Sequence, residues 1–427
     1  MEFEWKNASR FPRVVPDVWS IACRIPANAT GGLFRAISPA GDEILAATLN
    51  ENVLEIRLHY DAREVPLRLR ATVVPPASVI LSAMPNRVAL MGEGRVLDEE
   101  WPLGVVPFAD AECEAAISVT FSDSPVEEPA FCKESFTNIE MWRPAGENTN
   151  VGDCMPYSDG ELYRVYYLFD RRHHKSKWGL GAHQWAQVSS KDLVHWETHP
   201  MAIGIDEQFE GSICTGSVIR NGNTYFAFYA VRMSDYSPAR LTWATGTDGD
   251  HFTKSGKYIT LKEPYESVSA RDPKVFRTDD GTFHMLVTTS IAERNVGALA
   301  HLVSDDLLNW KQLEPFLVLD IADQPECTDY FRFGDWYYLV YSNFGRARWH
   351  KSRFPLGPWE APENNLVAAQ NVGVPKAAVV HGRLIFTGFS KDGKGYGGNF
   401  ILYEAIPAKN GDLRFRQIHF GQNAEKE

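Results

Sequence analysis

The sequence predicts an all-β chain, a five-bladed β-propeller preceded by a β-sandwich-like domain. Two patterns carry this reading. After residue 131 one plan returns five times: entry strand, small turn, aromatic strand, loop and outer strand, at intervals of about 40–60 residues. Before it, short segments alternate apolar and polar residues with a period of two, and turn signals separate them. A third observation sets the division. A chain of 427 residues exceeds one ordinary core, so two domains are expected: residues 1–125 as an accessory domain and 126–427 as the propeller.

In the first part, Gly32–Ser38, Val53–His59 and Ala116–Phe121 read as strands. Pro39-Ala-Gly-Asp42 and Asn50-Glu-Asn52 read as turns between them. Residues 123–130 carry two prolines and three acids, which disfavours a central strand and marks a linker. The five repeats begin near Gly152, at Ile213, at Arg271, at Glu326 and near Val374. Their aromatic strands are Leu162–Phe169, Thr224–Tyr229, Thr282–Thr288, Trp336–Tyr341 and Arg383–Gly388. Each is expected to build a four-stranded blade. The segment Glu134–Pro144 is expected to close blade five against blade one. Asp192-Leu-Val-His-Trp196 and Asp306-Leu-Leu-Asn-Trp310 are expected to be turns that bury their tryptophans between blades.

The net charge of −12 argues against a nucleic-acid partner, which calls for a basic stripe, and against an anionic membrane surface. No apolar stretch is long enough to span a bilayer. The N-terminus has no basic segment followed by an apolar run, so a cytoplasmic location is expected. Six cysteines without Cys-x-x-Cys pairing fit reduced thiols. Neither metal nor cofactor is expected, because the His173-His174 pair has no third ligand at a recognisable spacing. The chain's charge leaves neutral partners open, a small oligosaccharide or disaccharide among them, and self-association is left open.

Three carboxylates occupy matching places in the repeats. Asp153 stands in Val-Gly-Asp-Cys-Met-Pro, Asp272 in Ala-Arg-Asp-Pro-Lys and Glu326 in Gln-Pro-Glu-Cys-Thr-Asp. Each opens the first strand of a blade, and first strands line a propeller's channel, so the three acids should converge. Glycoside hydrolysis needs two carboxyl groups flanking the scissile bond. A third can hold hydroxyls and favour positive charge in the transition state. Crowding separates their pKa values, because like charges in a partly dry pocket resist ionising together.

Trp142, Trp178, Trp185 and Trp243 are candidate platforms for a sugar's apolar face, with Trp178 and Trp185 favoured. His183 and Gln184 flank Trp185 and can hydrogen-bond hydroxyls. Thr215 and Ser217 fall at the axial position of blade two. Arg271 can orient a carboxylate or bind a hydroxyl. The loop opened by Asp170 holds two histidines and four cations before Trp178, a composition suited to an acidic or phosphorylated sugar.

Asp153 through Trp185 to Asp192-Leu-Val-His-Trp-Glu197, then Arg271-Asp-Pro273, then Glu326-Cys327 together resemble glycoside hydrolase family 32, over roughly residues 140–405. The resemblance implies a five-bladed propeller that cleaves β-fructofuranosides such as sucrose, inulin or levan. It implies Asp153 as nucleophile, Glu326 as acid and then base, and Asp272 as transition-state stabiliser. A retaining pair would lie about 5–5.5 Å apart. The chain departs from the family's pattern in places. Gly-Asp-Cys-Met-Pro replaces Asn-Asp-Pro-Asn-Gly around Asp153, Thr328 follows Glu-Cys, and the β domain precedes the propeller. Alternatives are an inverting arabinan- or xylan-cleaving propeller, a fructosyltransferase and a non-catalytic sugar-binding paralogue.

Overall fold

The computed structural model describes residues 2–419 apart from 6, 14, 16, 62–65, 85–86, 101–104, 125, 127–130, 145–148, 172–182, 208, 234, 236, 369–371 and 391–395. All its regular elements are strands. Among the described residues no helix is long and apolar enough to cross a membrane.

Residues 2–122 form two six-stranded antiparallel sheets. Between them lies an aromatic core in which Phe11 stacks on Phe108 at 4.5 Å and meets Trp5 and Phe121 edge-on. The strands Glu2–Trp5 and Ser9–Arg10 each add an edge to one sheet. They lie before the first segment that alternates clearly in sequence.

Five further sheets follow, and their first strands are Thr149–Ser158, Glu210–Asn221, Arg271–Arg277, Glu326–Phe333 and Val372–Val380. These strands neighbour one another in a ring, with the fifth back against the first. The all-β propeller read from the repeats is therefore present. Strand count departs from four per blade in three blades. Blade one gains Ser135–Phe136 on its outer strand Trp196–Thr198, and blade three gains Leu317–Val318. Blade four has three strands, with an isolated bridge between Lys351 and Glu360.

The segment around residue 140 does link the ring's ends, but it joins blade one's sheet and not blade five's. It reaches blade five by side chains: Asn399 Nδ2 donates to the Glu140 carbonyl and Gln417 Nε2 to its carboxylate. Trp196 is fully buried beside Tyr163, as the turn motif requires. Blade two carries the same turn as Asp248-Gly-Asp-His-Phe252, with a phenylalanine in the tryptophan's place.

One irregularity recurs in all five blades. Each innermost strand loses register with its neighbour at two residues: 152–153, 214–215, 272–273, 327–328 and 374–375. Such a bulge bends the strand and re-aims its side chains. Asp272, Cys327 and Val374 have positive φ there, at 57°, 49° and 35°. Left-handed backbone in residues other than glycine is uncommon and gathers where surrounding structure enforces it.

Candidate active site

The bulge decides where the acids sit. Asp153 is the second residue of its bulge, Asp272 the first, and Glu326 the residue just before. The three are staggered by one position each and are not strict equivalents, as the sequence repeats suggested. The stagger aims side chains of different length at one space.

Hydrogen bonds between blades tie the trio together. Thr215 Oγ1 donates to Asp153 Oδ2 at 2.5 Å, and Cys327 Sγ donates to the same oxygen at 3.2 Å. The Cys327 amide donates to Asp272 Oδ2 at 3.0 Å. Arg271 Nη2 donates to Glu326 Oε1 at 2.5 Å, and its Nε lies 3.6 Å from Asp272 Oδ2. Gln324 Oε1 holds the other guanidinium nitrogen at 2.5 Å. One cysteine thus contacts two of the acids and adjoins the third. It therefore does more than fill space beneath them. Burial, with the charges of Asp153 and Asp272 adding to it, pushes its thiol well up, so it acts as a neutral donor.

Exposure differs across the trio. Asp272 and Asp153 are buried, at 3% and 9% exposed, whereas Glu326 is half-buried. The end of the channel that holds Glu326 is therefore the open one. Partial burial raises the Glu326 pKa, Arg271 lowers it, and the charges of Asp272 and Asp153 raise it, leaving it above the usual glutamate value.

Sequence reasoning missed Tyr396. Its hydroxyl donates to Asp153 Oδ1 at 2.6 Å and accepts from the Asp153 amide at 2.9 Å. Burial, followed by the adjacent Asp153 charge, raises the phenol pKa far above its normal value, which fixes it as a donor. The ring fits because residue 152 is glycine: a methyl there would stand 2.7 Å from the hydroxyl. The only signal in the sequence is an aromatic residue inside Lys-Gly-Tyr-Gly-Gly-Asn. Tyr396→Phe removes one of the three side-chain donors that Asp153 has among the described residues. A charge-assisted bond of this kind supports an expected fall in kcat of roughly 10- to 100-fold, measurable by steady-state kinetics on the folded variant.

Asp170 and His183 belong to the same cluster. His183 Nε2 lies 3.0 Å from Asp170 Oδ1, and its ring packs 5.2 Å from that of Tyr396. Thr215 touches Asp153, as above. Ser217 does not reach the acids. It accepts from the Val275 amide and donates to the Pro273 carbonyl, and so joins blade two to blade three.

Trp185 is a correction. Trp185 is 0% exposed, donates to the Cys214 carbonyl at 2.9 Å and packs among Tyr166 and Tyr229, so neither ring face is open to a sugar. Gln184 Oε1 accepts from the Ile205 amide at 2.6 Å and is occupied by backbone. Trp243 is likewise core, and Trp142 stacks on Phe136 at 4.7 Å. Trp178 and the cationic loop lie outside the described residues. Among the described residues no group of histidines, cysteines and acids is arranged to hold a metal ion.

Open valences show what the site can do. Among the described residues Asp153 Oδ2 receives two side-chain donors and Oδ1 receives one, so Oδ1 keeps a lone pair for an electrophile. Arg271 holds Glu326 through Oε1, and among the described residues no donor meets its Oε2.

The family model described as Glycosyl hydrolases family 32 N-terminal domain matches residues 144–372. A sucrose-6-phosphate hydrolase of Zymomonas mobilis is 30% identical over 250 residues, covering 52% of this chain and 48% of that protein. The chain thus spans about half the length of the curated relatives it matches. Among solved structures, fructan 1-exohydrolase IIa of Cichorium intybus aligns with a TM-score of 0.55 at 18% identity, over 66% of this chain and 60% of that one. A sucrose-6-phosphate hydrolase of Lactobacillus gasseri aligns at 0.54 and 18%, over 67% and 64%. At such identities these likenesses concern the fold.

Proposed function

The chain belongs to glycosyl hydrolase family 32, and from that premise we propose that it is a retaining, exo-acting β-fructofuranosidase that uses Asp153, Asp272 and Glu326. The convergence of these three carboxyl groups, joined through Arg271 and Cys327 at the open end of the channel, carries the reading. Asp153 Oδ1 attacks the anomeric carbon C2 of a terminal fructosyl unit. Glu326 Oε2 delivers its proton to the departing glycosidic oxygen as that bond breaks. Water then gives a proton back to Glu326 and its oxygen bonds C2, which releases the Asp153 carboxylate and closes the cycle. Asp272, on a backbone locked in the left-handed region, accepts from sugar hydroxyls and favours positive charge on the ring.

The substrate class is a disaccharide or oligosaccharide with a terminal β-fructofuranosyl group. The names of the curated relatives add a 6-phosphorylated sucrose to the set worth testing. The deciding experiment is a panel of sucrose, sucrose 6-phosphate, 1-kestose, inulin and aryl arabinofuranosides, with the anomer first released followed by NMR. Release of β-fructose supports retention. Turnover of arabinofuranosides alone, with inversion, refutes the reading.

The raised Glu326 pKa has a direct consequence. A group that must donate a proton works below its pKa, so the alkaline limb of kcat/KM is expected above the usual glutamate value of about 4.3. Asp272 contributes to that elevation. Asp272→Asn removes the charge yet keeps a residue type tolerant of positive φ. Its alkaline limb is expected to move to lower pH, together with a loss in kcat. A limb that stays in place or moves upward contradicts the assignment.

A further inference from the structure

Phe344 combines two features that a fold rarely tolerates together. It is 75% exposed, and its backbone lies in the left-handed region at φ 48°, an outlier for a bulky residue. With Gly345 it makes a two-residue turn between the paired residues Asn343 and Arg346 of blade four. Among the described residues three other hairpins turn in the same way, with positive φ at both positions and a residue other than glycine first: Glu51-Asn52, Glu93-Gly94 and His381-Gly382. Turns of this kind favour asparagine, aspartate or glycine. The other three hairpins put a polar side chain first, and Phe344 is the apolar exception.

The turn belongs to the open end of the channel. Ser342 pairs with Glu326 across the two inner strands of blade four, and Phe344 lies two residues farther along, about 7 Å of extended chain. A short network fixes turn and acid together. The Phe344 amide donates to Asp323 Oδ2 at 2.6 Å, and Asn343 Nδ2 donates to the Gln324 carbonyl at 3.0 Å. Gln324 Oε1 in turn holds Arg271, which binds Glu326. Ile321, on the same segment as Asp323, is a second exposed apolar side chain, and its carbonyl is anchored by the Gly297 amide at 2.8 Å. An exposed ring gains nothing from burial, and a left-handed backbone costs stability. Such an outlier beside a site points to a molecule that covers the ring when it binds.

We propose that Phe344 is the platform for the leaving group: its ring, on the rim beside Glu326, stacks on the apolar C–H face of the sugar that departs. The inference rests on the reading of Glu326 as the acid that protonates the departing oxygen, because that role places the leaving group on the Glu326 side of the scissile bond. A flat aromatic face suits the C–H face of a sugar ring and offers nothing to a leaving group without one. Phe344 thereby favours substrates in which fructose is joined to another sugar over simple alkyl fructosides.

The test compares wild type with Phe344→Asn, Phe344→Ala and Phe344→Trp. The substrates are sucrose and 1-kestose, whose leaving groups are sugars, and methyl β-fructofuranoside, whose leaving group is methanol. The ratio of kcat/KM for each sugar-bearing substrate to that for the methyl fructoside is expected to fall about 5- to 20-fold in the Asn and Ala variants, chiefly through KM. In the Trp variant, which keeps an aromatic face, the ratio should stay within about two-fold of wild type. Asparagine suits the turn, so Phe344→Asn should unfold at or above the wild-type temperature, and its lower ratio then reports the missing ring and not a damaged fold. A ratio that is unmoved in the Asn and Ala variants overturns the proposal, as does an equal loss on all three substrates. Wild type that hydrolyses none of the three defeats the functional reading and this one with it. Wild type that hydrolyses them with a ratio indifferent to position 344 defeats this one alone.

Discussion

Asp153→Asn and Glu326→Gln are each expected to lower kcat on the best natural substrate by about 10⁴-fold or more, and the two losses should differ in kind. An amide at position 153 cannot attack C2, so every substrate is lost. An amide at position 326 cannot deliver a proton, but a leaving group that departs as a stable anion needs none. Glu326→Gln should therefore retain the first step on an aryl fructoside. A small anion such as azide, which needs no general base, should then speed its second step. The structural costs differ as well. The side-chain amide introduced by Glu326→Gln can still present an oxygen to Arg271 in place of the carboxylate's Oε1. The amide introduced by Asp153→Asn has one accepting oxygen where three donors from Thr215, Cys327 and Tyr396 meet two carboxylate oxygens in the wild type. That mismatch is expected to cost about 1–3 kcal/mol of stability, read by thermal unfolding. Turnover by Asp153→Asn within ten-fold of wild type on sucrose or kestose would remove that residue from its role.

The repeats were legible because a propeller writes each blade as an aromatic strand pair, and blades one to five follow the spacing of those pairs. The converging acids were legible for the same reason. Their stagger was not, since a bulge has no signature in residue type: Gly-Asp, Cys-Thr, Asp-Pro, Cys-Thr and Val-Pro all serve. The contacts of Tyr396 with Asp153 and of Lys376 with the Gly216 carbonyl come from crossings between blades, which local pattern does not encode. Trp185 shows the converse. Its place in the strand after the Asp153 hairpin suggested a sugar platform, but alternation along a strand tells which face a ring takes and not whether the next blade covers that face. Blade four's missing outer strand and the two short N-terminal strands were hidden because segments of a few residues carry too little periodicity.

The structural counterpart of the acid substitutions is Gly216→Ala, which is expected to damage fold and site together. A methyl at position 216 would lie 1.8 Å from the Phe228 carbonyl oxygen and 3.0 Å from the Trp185 ring. The first obstacle is backbone in the paired strand and the second is a fully buried indole, so neither can swing aside. The innermost strand of blade two must move instead. It carries Thr215, which holds Asp153, and the carbonyl that receives Lys376. Overpacking against rigid neighbours supports a loss of about 3 kcal/mol or more, which lowers the propeller's unfolding transition by about 5–10 °C. Gly32→Ala is the matched control. It adds the same methyl to a strand of the N-terminal sheets with nothing within 4 Å, and it should stay within about 0.5 kcal/mol of wild type. Because displacement of Thr215 loosens Asp153, kcat of the folded Gly216→Ala protein should fall while the wild-type preference among substrates is kept. A variant that unfolds within a degree of wild type, with unchanged kcat, would mean that this strand can shift freely, and the account of the bulge as the device that aims the acids would fail with it.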